Sequence, residues 1–162
     1  MTTAASSMLL AGAATAAEKI GVVNFQEVMA KIPQTAAVMQ QLEAEFKDEK
    51  AVLVQLEKDI KYFQEKKKRD SSLMSEKELQ ELDQKVAAAY QEYQGKGKAL
   101  QQQVAKRQNE ETNKILALVK QAIDNIAAKD KYDFVIEQKA VVFAKPDASI
   151  TDKVVEQVSK LN

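Results

Sequence analysis

From Met39 onward, apolar residues recur at alternating spacings of three and four. Met39, Leu42, Phe46, Leu53, Leu56, Ile60 and Phe63 fall on one seam, and only Glu49 interrupts it. Charged residues fill the positions between. That is a heptad pattern, and it predicts a helix that packs along its length against a second one. The helix runs into Lys66-Lys67-Lys68-Arg69 and stops at "DSSLMS". Ser75-Glu78 has the spacing of a capping box, so a new helix starts there. Its seam resumes at Leu79, Leu82, Val86, Ala89 and Tyr93. So short a connection predicts antiparallel neighbours. An arm of about 30 residues at about 1.5 Å each would reach about 45 Å.

The returning helix weakens further along. Gly95 and Gly97 lie inside it, and "QQQVAKRQNEETNK" (101–114) has little apolar content beyond Val104 and Ala105. A helix interior loses about 1 kcal/mol at each Gly relative to Ala, so the pair is a candidate hinge. Ile115, Leu118, Val119, Ala122 and Ile126 then restore an apolar face.

Both ends of the chain have a different texture. Ile20-Gly21-Val22-Val23 is short and β-branched, so it reads as a strand. Asn24 with Glu27 predicts a capped short helix, ended by Pro33, which suits the first turn of the next one. Near the far end, "YDFVIE" and "AVVFAK" read as two strands (132–138 and 139–145), and Thr151 as the cap of a last amphipathic helix. A lone strand at 20–23 would leave its backbone groups unpaired, so its partners should lie in the far segment. The expected fold is α+β: a long antiparallel coiled-coil hairpin projecting from a small β body. The body is expected at 17–37 and 115–162, and the arm at 38–114 with its tip at about 70–75. Three short strands bury little, so such a body should gain by oligomerising.

Composition changes the picture in three ways. The chain of 162 residues is 30% charged and 6% aromatic with no Trp, as in elongated helical proteins. It has 24 basic and 24 acidic residues, which gives no electrostatic reason to expect nucleic acid. It has no Cys and no His, which removes thiol nucleophiles, imidazole bases and the usual zinc sites. Without a glycine-rich phosphate loop either, no enzyme and no cofactor is expected. "MTTAASSMLLAGAATA" (1–16) is apolar in its second half and ends in small residues at −3 and −1. It reads as a signal peptide cut before Ala17, although no Lys or Arg precedes the apolar run.

The order of parts resembles the Skp/OmpH family of periplasmic chaperones. The resemblance rests on "AAEKIGVVNFQEV", "LEAEF", "KRQNEETNK", "YDFVIEQKAVVFA" and "DASITDKVVEQV", and covers residues 17–162. It implies a homotrimer whose β bodies join as a hub and whose hairpins surround a cavity like tentacles. It implies an ATP-independent holdase that keeps unfolded outer-membrane proteins from aggregating and delivers them for outer-membrane assembly. Members are often strongly basic, whereas this chain is neutral. The alternative is a structural coiled-coil adaptor of the cell envelope, which would want a sharply apolar end patch.

Candidate working residues follow. Ile20, Val22, Phe134, Ile136, Val141 and Phe143 are the expected body and trimer set. Lys66, Lys67, Lys68 and Arg69 would form a basic arm tip for membrane lipid headgroups, although cations also suit any helix C-terminus. Lys106 and Arg107 align loosely with a basic pair proposed in the family for lipopolysaccharide; the plain reading is an exposed charge pair. Met29, Met39, Met74 and the arm aromatics Phe46, Tyr62, Phe63, Tyr90 and Tyr93 could touch clients, with Phe46 and Phe63 better placed as seam.

Overall fold

The computed structural model describes residues 18–161; the signal-peptide reading of 1–16 lies outside them. In chain order come β1 (Ile20–Val23), α1 (Phe25–Lys31), α2 (Pro33–Glu45), α3 (Lys47–Asp70), α4 (Glu76–Asp130), β2 (Phe134–Glu137) and α5 (Thr151–Ser159). α3 and α4 form the hairpin arm. β1, α1, β2, α5 and the last turns of α4 form the body.

Local chemistry explains the boundaries. Asn24 Oδ1 accepts from the Glu27 N–H at 3.0 Å and starts α1. The reciprocal half of a capping box does not form: the Asn24 N–H donates to Thr151 Oγ1 at 3.0 Å, and Glu27 pairs with Lys31. Pro33 opens α2 after an extended Ile32. At the tip a 3-10 turn, Ser71–Leu73, leads to Ser75, whose capping box with Glu78 is complete in both directions. α4 then runs unbroken for 55 residues, through Gly95 and Gly97. The seam helix, in contrast, is interrupted. At Phe46 the backbone leaves helical geometry (φ −102°, ψ 14°), so one expected helix becomes α2 and α3. No proline or glycine lies there; the break coincides with the Phe46 ring turning inward, where it is buried.

β1 and β2 pair in parallel, with Ile20 opposite Phe134 and Val22 opposite Ile136. The sheet has two strands, not three. Val141 keeps an extended backbone, but the 139–145 segment finds no ladder partner among the described residues; it follows a 3-10 turn, Gln138–Ala140. Gly21 lets the sheet approach its cover closely: a Cβ there would stand 3.3 Å from the Tyr132 ring and 3.4 Å from Ile150. Thr151 does not cap α5. It is the first helical residue, buried, with its hydroxyl occupied by Asn24.

The core lies behind the sheet. Val23, Val28, Ile32, Ile115, Val119, Ala122, Ile126, Ile150, Val154 and Val158 form one buried cluster. A backbone clasp closes the body. The Lys19 N–H donates to Asp133 Oδ2 at 2.7 Å, and the Asp133 N–H returns to the Lys19 carbonyl at 2.9 Å. Lys19 Nζ donates to the Asp130 carbonyl at the end of α4 and lies 4.3 Å over the Tyr132 ring. The Gln34 side-chain amide donates to the Val158 and Leu161 carbonyls at 2.9 and 2.7 Å, satisfying the C-terminus of α5.

Candidate functional site: an open sheet face, an arm seam and a charged tip

Alternation along β1 and β2 sorts their side chains. Val23 enters the core. Ile20 and Val22, with Phe134 and Ile136 opposite them, fall on the other face. A concavity of about 510 Å³ on this face is lined by Ile20, Val22, Ile136, Val141 and Phe143. The sequence-predicted body set is therefore brought largely together, but not as a core. Only Val22 is buried; Phe134 is 55% exposed and Phe143 81%. Val142, which the sequence reading passed over, is fully exposed beside it. An apolar face of this kind, backed by unpaired extended backbone, is what a sheet presents when its next strand comes from another chain.

The arm is built otherwise. Leu53, Leu56, Ile60 and Phe63 on α3 and Leu79, Val86, Ala89 and Tyr93 on α4 are half-buried. α3 buries no residue fully, and Leu82 is the seam position on α4 that does. Val52, Val54, Tyr62 and Tyr90 are exposed along its sides. At its base a groove of about 330 Å³ opens between α2 and α4, with Met29, Val38, Met39, Leu42 and Val104 in its walls. Met39 is 63% exposed there.

The tip splits the predicted basic cluster. Lys67 is paired with Asp83 across the hairpin, and Arg69 holds its neighbour Asp70 at 2.7 Å. That contact keeps the Asp70 carboxyl below its ordinary range. Glu78 is likewise held low, because its carboxylate accepts from the Ser75 N–H. Among the described residues, Lys66 and Lys68 enter no ion pair, and Leu73 in the turn that follows is 88% exposed.

Lys106 and Arg107 are not a pair in space. Adjacent residues on a helix point about 100° apart. Lys106 faces solvent, 4.0 Å from Glu110. Arg107 turns inward and makes four hydrogen bonds. Nε and Nη2 reach Glu45 at the end of α2 at 2.9 and 3.2 Å. Nη1 reaches Glu110 and Glu111, both at 2.9 Å. Glu111 is buried and also accepts from Lys114 at 2.8 Å. These contacts push the Arg107 pKa up and the Glu111 pKa down. The little apolar content of "QQQVAKRQNEETNK" is supplemented by this ionic contact with α2.

The family described as outer membrane protein (OmpH-like) matches residues 19–158. A protein named chaperone protein Skp from Vibrio cholerae serotype O1 is 35% identical over 153 residues, spanning 94% of this chain and 90% of the relative. The Photorhabdus laumondii chaperone protein Skp is 39% identical over 145 residues, spanning 90% and 88%. The fold matches a crystal structure of an OmpH-like outer membrane chaperone from Caulobacter crescentus CB15. There the TM-score is 0.76 at 17% identity, covering 89% of this chain and 85% of that one.

Proposed function

Since the chain belongs to the OmpH-like outer membrane protein family, we propose that it is an ATP-independent periplasmic holdase for unfolded outer-membrane proteins. The observation that carries this reading is the contrast in burial between body and arm. A dry body can assemble, while a half-wet arm offers many weak apolar contacts to a chain that has not folded. Binding the unfolded client competes with its aggregation. Release follows when membrane insertion offers the client a lower free energy.

Assembly is assigned to the body (17–37 and 115–162) and client handling to the arm (38–114). The open face carrying Ile20, Phe134, Val142 and Phe143 would meet a complementary edge of the next copy around a three-fold axis in a homotrimer. Deleting Lys19–Asn24 should then abolish the trimer and leave most helix in place, read by solution mass and circular dichroism. Lys66 and Lys68 at the tip, and Lys106 beside Glu110 on the arm, would meet membrane lipid headgroups or lipopolysaccharide. Export of the chain places it in the periplasm.

The deciding experiment measures the mass of residues 17–162 in solution, then dilutes a urea-unfolded outer-membrane protein into it. A trimer that suppresses aggregation is expected. A monomer without effect overturns the reading. A trimer without effect favours the envelope adaptor instead.

A further inference from the structure

Both rods of the arm are weak at the same height. The α2–α3 rod leaves helical geometry at the single residue Phe46, while the Phe46 N–H still reaches the Leu42 carbonyl and the Lys50 N–H the Phe46 carbonyl, each at 3.1 Å. Facing it, α4 has little apolar support between Gln101 and Lys114 apart from Val104 and Ala105. The two rods meet there through a bidentate contact of Arg107 with Glu45, adjacent to the break. We propose that Arg107 is a brace that fixes the direction of the arm relative to the body, and so sets the width of the client cavity.

The charge arrangement gives the brace a sign. Glu45, Glu110 and Glu111 converge on one guanidinium, and Lys114 reaches only Glu111. Removing Arg107 does more than loosen the joint. It leaves three carboxylates facing one ammonium, so α2–α3 and α4 repel each other where only a thin apolar contact around Phe46, Leu42 and Val104 holds them. A fork binds two oxygens in one geometry, which a Lys at this position could not do. Removing Glu45 is milder, because Arg107 keeps its two partners on α4. The order of effects is therefore Arg107→Met above Glu45→Gln.

The chain has no Cys, so labels can be placed cleanly. Exposed Ser72 at the tip and exposed Ala37 on the body side of the Phe46 joint, each changed to Cys and spin-labelled, report the tip-to-body distance across that joint; labelled chains are diluted into unlabelled ones. Arg107→Met should broaden the distance distribution at least about twofold, Glu45→Gln less, with helix content unchanged. The charge swap Glu45→Arg with Arg107→Glu should narrow it again. If Arg107→Met fails to fold, salt serves on the parent chain. Raising it from about 0.02 M to about 1 M should broaden the distribution, because screening shortens to about 3 Å. An unchanged distribution in Arg107→Met, or in the parent at high salt, overturns the brace. The cavity-width clause rests on the holdase reading: a braceless arm should protect large clients relatively better than small ones. A parent chain that protects no client would sink that reading and leave the distance result standing.

Discussion

Body and arm are built on opposite terms. The body spends its apolar residues on one dry cluster and leaves an apolar sheet face open. The arm spreads its apolar residues along a seam where almost none is fully covered. Stability and adhesion are thus separated along the chain. The body holds the fold, and the arm keeps its apolar surface within reach of another molecule.

The comparison can be broken most forcefully in the body. Ile150 is fully buried between sheet and helices. Ile150→Ala should cost about 2–5 kcal/mol and lower the denaturant midpoint of the whole chain. Leu82→Ala in the arm should cost about 2 kcal/mol, locally. Amide exchange should quicken in α3 and the facing turns of α4 and stay unchanged in α5. Equal loss of protection in α5 would show that arm and body are one cooperative unit.

A smaller effect sharpens the arm side. A Cβ at Gly95 or Gly97 meets nothing within 4 Å, and neither glycine has a positive φ. Changing both to Ala should therefore stabilise α4 by about 1 kcal/mol each in thermal melts. If the pair serves as a hinge, the same change should also narrow the tip-to-body distribution. The smallest effect is at the tip. The folded Glu78 carboxyl titrates below its ordinary value because the Ser75 N–H favours the ionised form. Its contribution is complete above the unfolded pKa and is lost as pH falls through the folded one. A carboxyl 13C titration should give a depressed Glu78 midpoint that Ser75→Ala moves back up. A midpoint at the ordinary value in the parent would remove the capping box from the account.

Much of this was legible in the residues. β-branched runs marked β1 and β2, and Ser75 with Glu78 marked the turn into α4. The hairpin followed from heptad spacing. Three things were not legible. Val141-Val142-Phe143 has strand composition, but composition does not supply a ladder partner, and among the described residues there is none. The break at Phe46 has no proline or glycine to announce it; it depends on where the ring can be buried. Arg107 read as surface charge because its partner Glu45 is 62 residues away, and only the register of the hairpin brings them together.

That register also has a consequence for how the chain acquires its fold. Contacts along the arm are nested inside those of the body, whose own pairs cross because β1 and β2 are parallel. Lys67 and Asp83 are separated by 16 residues, Glu45 and Arg107 by 62, Lys19 and Asp133 by 114, and Asn24 and Thr151 by 127. Closing the outermost loop directly would be slow. Zipping from the tip inward makes each later closure short, since the ends arrive already held together. The arm is then a folding guide for the body, and the first strand made is among the last to find its partner.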